Sequence, residues 1–171
     1  MKSSILLLAA AFAAPLAHAH ITLEQSSAPA GAYQMLTFRV GHGCDGSATN
    51  GVTVVLPEAV TGAKPMPKPG WNVSTASGAL NTPLATDQGA ITSAVREVSW
   101  KGGPLPDAEH DEFSMQVKLP EIPGKYYFKV IQQCDKGRVE WGDIPSAPGA
   151  KLKTPAPVLE VVPAAGPAQQ H

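Results

Sequence analysis

Phe113-Ser114-Met115-Gln116-Val117-Lys118-Leu119 alternates apolar and polar residues without a break. Successive side chains of an extended strand point to opposite faces. The run therefore buries Phe113, Met115, Val117 and Leu119 on one face and leaves Ser114, Gln116 and Lys118 on the other. A helix would need apolar residues three and four positions apart, and no stretch of the chain keeps that spacing over three turns. Outward from this segment the same texture recurs at residues 21–25, 33–40, 52–56, 71–75, 95–100, 126–133 and 158–162. Asp135-Lys136-Gly137 reads as a tight turn that returns the chain through residues 138–141. About eight or nine short strands with no alternating helices predict an all-β chain. A two-layer antiparallel β-sandwich, immunoglobulin-like or cupredoxin-like, is the economical packing.

Between the strands, Ser26-Ser27-Ala28-Pro29-Ala30-Gly31 reads as a turn, and residues 41–51 as a polar loop carrying His42 and Cys44. Lys64-Pro65-Met66-Pro67-Lys68-Pro69-Gly70 lacks the backbone donors for a central strand and is expected at an edge or in a loop. Residues 77–92, rich in Gly, Asn, Thr and Asp, read as a long loop or irregular hairpin. The Pro-, Ala- and Gln-rich residues 163–171 are expected to be a disordered tail.

The start of the chain reads as a secretion signal over residues 1–19. Lys2 supplies a positive n-region, residues 5–16 an apolar h-region, and Ala17 and Ala19 a small-residue cleavage site. Cleavage after Ala19 leaves 152 of the 171 residues, enough for one β-sandwich domain over residues 20–162. The formal charge of −1 provides no basic field for nucleic acid or an anionic membrane. Beyond the h-region no apolar run reaches the roughly 20 residues of a spanning helix, so the mature chain is expected to carry no membrane span. A periplasmic or secreted location follows. In that oxidising compartment Cys44 and Cys134, each just beyond a strand-like run, are expected to pair as a disulfide.

Cleavage at that point would make His20 the first residue. An N-terminal histidine offers two nitrogens, its own α-amine and its imidazole Nδ1, with ordinary pKa values near 8 and 6.5. Both shed their protons readily near neutrality, and together they chelate a borderline divalent ion, Cu(II) above all. His42, His110 and His171 are the histidines that could add a ligand, and no i, i+2 or i, i+4 spacing singles one out. A site of one histidine and a carboxylate is the reading the residues favour. Glu58, in Leu56-Pro57-Glu58 at a strand end, can bend over a sheet edge. Glu140 and Trp141 are neighbours on a strand and should face opposite ways.

The ordered set His20-Ile21-Thr22-Leu23-Glu24, Ala28-Pro29-Ala30-Gly31, Thr37-Phe38-Arg39-Val40, Leu56-Pro57-Glu58, Pro67-Lys68-Pro69-Gly70-Trp71, Trp100, Glu112-Phe113 and Glu140-Trp141 resembles the YcnI-like periplasmic or extracytoplasmic copper-binding domain family. The resemblance implies a sandwich that binds Cu(II) through a single-histidine brace, helped by a glutamate and a nearby tryptophan. Carried onto this sequence, it implies His20, Glu58 and Trp141 as the metal site, with Trp141 close to the ion. Gly43-Cys44-Asp45-Gly46 and Gln132-Gln133-Cys134 depart from the family pattern.

The expected function is that of an exported copper chaperone or scavenger, not an enzyme, taking the copper ion for a membrane copper importer or another periplasmic copper protein. A copper enzyme that cleaves polysaccharides oxidatively is an alternative, weakened by the missing obvious second histidine and by few aromatic residues to hold sugar. A β-sandwich interaction module with no metal is the other.

Overall fold

The computed structural model describes residues 20–86 and 89–164. The expected signal at 1–19, most of the expected tail and His171 lie outside the described residues. In chain order the strands are β1 (Thr22–Leu23), β2 (Ser27–Pro29), β3 (Tyr33–Val40), β4 (Thr49–Val55), β5 (Thr61–Pro65), β6 (Trp71–Thr86), β7 (Gly89–Leu105), β8 (Asp111–Lys118), β9 (Gly124–Tyr127), β10 (Lys129–Cys134), β11 (Arg138–Trp141) and β12 (Val158–Val162). One sheet runs β1-β3-β8-β5, a second β11-β10-β4-β7-β6, and a third β2-β12-β9. The fold is an all-β sandwich, as the alternation predicts.

β8 behaves as its sequence dictates. Phe113, Met115 and Val117 are fully buried and Leu119 nearly so, and β3 pairs with β8 from Tyr33↔Lys118 to Val40↔Asp111. That pairing sets Leu36, Phe38 and Val40 beside the β8 residues as one apolar wall. The facing wall comes from Val52 and Val54 of β4, Val98 and Trp100 of β7, and Val130 of β10. Rings lock the layers together: Trp100 meets Phe113 with centroids 5.7 Å apart, and Phe38 meets Phe128 at the same separation. Edge-to-face contacts of this kind add about 0.5–1.5 kcal/mol beyond burial alone. Among the described residues no helix is long and apolar enough to cross a membrane.

Two of four segments take one of the alternatives the sequence left open and two differ from its expectation, each for a physical reason. Of the loop or irregular hairpin expected at residues 77–92, the described residues 77–86 and 89–92 form the hairpin: with their flanks they make the long β6–β7 ribbon, paired from Trp71↔Gly102 to Thr86↔Gly89 with shifts in register. Most of its distal side chains are exposed on both faces, so it carries no alternation to read. Ser27–Pro29, expected as a turn, pairs in parallel with β12. Residues 61–65 form β5, an edge strand, where Pro65 needs no ladder partner on its open side. The continuous strand expected at residues 126–133 changes sheets at Phe128. β9 pairs with β12, Phe128 donates its amide to the Pro157 carbonyl at 2.8 Å, and β10 then pairs with β4 and β11. Burial of Phe128, Val130 and Gln132 keeps a period of two across that corner, so the sequence pattern hides the switch.

Candidate metal centre

His20 leads into β1, which pairs with β3 through Thr22↔Arg39 and Leu23↔Phe38. Burial of Ile21 seats the segment on the core and places His20 at one end of the sandwich. Trp141 ends β11, opposite Val130 of β10. The two rings meet with centroids 5.7 Å apart. Both line a cavity of about 520 Å³, whose wall also carries His42, Asp45, Lys151 and Lys153. His42 packs on the same indole, at 6.0 Å between ring centroids.

Trp141 is 5% exposed, and its indole nitrogen donates to the Gln132 side-chain oxygen at 3.0 Å. Gln132 is a polar residue at a fully buried strand position. Its amide nitrogen donates to the His42 carbonyl at 2.6 Å and to the Thr49 hydroxyl at 2.8 Å, so the buried amide is satisfied and ties Trp141 to the His42 loop. A buried network with every member paired fixes one geometry.

The loop between β3 and β4 is pinned at several points. Cys44 and Cys134 form the disulfide that the compartment predicts. The Cys44 and Ser47 backbones exchange hydrogen bonds of 3.0 and 2.9 Å, and the Gly43 amide donates to an Asp107 carboxylate oxygen at 2.9 Å. A Cβ on Gly43 would stand 1.8 Å from the Ser47 carbonyl oxygen, so only glycine fits beside His42. Asp45 turns with φ of 49°, in the left-handed region that aspartate tolerates better than most residues. On the far side of the cavity Thr154 donates through its amide and hydroxyl to Asp143, and these bonds hold the Asp143 carboxyl below its usual pKa.

Glu58 does not join this group. Its carboxylate accepts from the Asn81 side chain and the Thr82 amide, both at 3.0 Å, and these bonds, the Asn81 one first, lower its pKa. Asn81 and Thr82 belong to β6, and three strands separate β6 from β11 in the sheet. Glu58 is therefore not among the residues that line the cavity with His20 and Trp141. The physical reason is Arg96, whose guanidinium binds the carbonyls of Leu56, Glu58 and Val60 and turns the strand end toward the ribbon. Glu58→Gln is accordingly expected to leave Cu(II) affinity unchanged in a chelator competition. A weakened affinity would return Glu58 to the site.

Glu140 faces away from Trp141, as the period of two predicts, and is paired with Lys129 and Arg138. Asp45 is the carboxylate that lines the cavity with His20. Among the described residues no three His, Cys, Asp or Glu side chains cluster as a metal site. The His20 and His42 imidazoles and the Asp45 carboxylate line one cavity without forming such a cluster.

The chain is an all-β sandwich with a cavity walled by His20, His42 and Trp141. The chain belongs to the family described as a domain of unknown function, DUF1775, whose model matches residues 20–161. YcnI-like proteins carry this same domain, in keeping with the resemblance drawn from the sequence. A crystal structure of an uncharacterized protein from Nocardia farcinica, described as having an immunoglobulin-like fold, is similar to it at 28% identity and a TM-score of 0.63. The match covers 83% of this chain and 97% of that one, and it makes the sandwich immunoglobulin-like. No curated protein matches the chain.

Proposed function

We propose that this is an exported copper-binding protein that takes Cu(II) as cargo at His20 and passes it to a membrane importer or another extracytoplasmic copper protein. The observation that carries the reading is the contact between His20 and Trp141 in one cavity, since the sequence resemblance requires that pair and the fold brings it together. Cleavage after Ala19 would supply the amine, and the His20 imidazole the second nitrogen of the chelate. The indole fits beside such a donor pair. With its N–H committed to Gln132, Trp141 keeps a fixed orientation next to His20. An aromatic face attracts a soft cation by cation–π contact, so the indole is expected to favour Cu(I) over Cu(II).

Cu(II) titration followed by electron paramagnetic resonance, on protein beginning at His20, tests the proposal. One equivalent bound in a nitrogen-rich tetragonal site is expected. A featureless aqueous copper signal would favour the module that binds no metal.

Trp141→Phe should shift the midpoint of copper reduction more than the Cu(II) dissociation constant. It should also cost about 1–3 kcal/mol of stability, because the buried Gln132 oxygen loses its donor. Urea unfolding and redox titration of the same sample separate the two effects. A reduction midpoint equal to the parent's would remove the indole from the copper chemistry.

A further inference from the structure

We propose that His42 is a second imidazole donor to this copper site, held in place by the Cys44–Cys134 disulfide and the Gln132 amide. The inference rests on the reading of His20 as a copper-binding residue and adds a ligand to it. Three observations carry it. His42 lines the same cavity as His20, and both rings pack against Trp141. The His42 Nδ1 lies in hydrogen-bond contact with the Gly43 carbonyl. A carbonyl only accepts, so Nδ1 carries the proton and Nε2 keeps its lone pair, the tautomer in which a metal-binding histidine is held by a backbone acceptor.

The third observation is how much structure is spent on one residue of a polar loop. The His42 carbonyl is held by Gln132, the Gly43 amide by Asp107, and Cys44 by a covalent bond to β10. Gln132 connects that loop to the indole on which both imidazoles rest. Loops without a fixed task do not need anchors at three consecutive residues. With His42, the donor set becomes the His20 amine, the His20 Nδ1 and the His42 Nε2. Three nitrogens suit the tetragonal preference of Cu(II) better than two and leave one position for water or Asp45.

Electron spin echo envelope modulation on Cu(II)-loaded wild-type protein counts the bound imidazoles through their remote nitrogens and needs no variant. Two imidazoles are expected, and one would overturn the proposal. His42→Ala should raise the Cu(II) dissociation constant by about a hundredfold or more, since losing a ligand costs at least what losing an outer partner does, and reduce the count to one. Removing the disulfide as Cys44→Ser/Cys134→Ser should weaken Cu(II) by about tenfold or more in the parent and by nothing further in the His42→Ala background. That non-additivity separates positioning from general destabilisation. If His42→Ala binds like the parent while protein acetylated at His20 does not, the His42 assignment fails and the His20 reading stands. If the acetylated protein also binds like the parent, the His20 reading itself has failed.

Discussion

Protein acetylated at the His20 α-amine, or left with a methionine before it, is expected to lose tight Cu(II) binding while unfolding at the same urea concentration as the processed chain. Two donors on one residue make the second bond intramolecular, and linkage of this kind commonly gains about 10²–10⁴ in affinity. Blocking the amine removes that gain, and the proton-bearing amide left behind is a poor donor at neutral pH. The core should not notice. Ile21 remains buried, and β1 still pairs with Arg39 and Phe38. Competition with a chelator of known strength measures the effect directly. Equal affinity in blocked and processed protein would remove His20 as the anchor of the site.

The second large effect concerns stability. Replacing both Cys44 and Cys134 with serine should lower the free energy of unfolding by about 4–5 kcal/mol, because the bridge closes a long loop in the unfolded chain. The two residues are 90 positions apart in sequence, so the unconstrained chain gains most of its freedom back when the bond is lost. Equilibrium unfolding in urea under non-reducing conditions gives the value. A loss below about 1 kcal/mol would mean that the unfolded chain is compact enough to make the cross-link redundant. Since native domains are stable by only about 5–15 kcal/mol, the expected loss takes much of the margin.

How much of this was legible in the sequence depended on whether a residue had a buried face to report. Phe113, Met115 and Val117 announced β8 because one side of that strand meets the core. Glu140 and Trp141 divided between opposite faces for the same reason. The β6–β7 ribbon stayed undecided between loop and hairpin because its outer half presents both faces to solvent, and Gly, Asn and Thr there look the same in either. Phe128 concealed the change of sheet, since burial keeps its period while the hydrogen-bond partners change.

For the cavity, His20 was named from the cleavage pattern and Trp141 from the family resemblance, and the fold sets their rings 5.7 Å apart. Glu58 sits apart from that cavity because a strand end fixes a location but not the direction of the turn that follows, and Arg96 binds the carbonyls of that turn. His42 was passed over for want of spacing to another histidine. A signal was nevertheless present. His42 stands two residues before Cys44, Cys134 stands two residues after Gln132, and the hairpin of Cys134 carries Trp141. Drawing the disulfide first brings all of them to one end of the sandwich.

β1 is only two residues long, and it carries the chain from His20 into the core. Terminal segments with so few ladder bonds open at little cost, whereas central strands open only with the whole molecule. Amide exchange at residues 21–24 should therefore be fast in the metal-free protein and slow on copper loading, while the amides of β8 stay unchanged. On the proposed reading, an ion held at His20 and across to His42 would act as a clasp on this fraying end. Handover to an acceptor would then need only the first strand to peel, with the rest of the sandwich standing as a rigid handle.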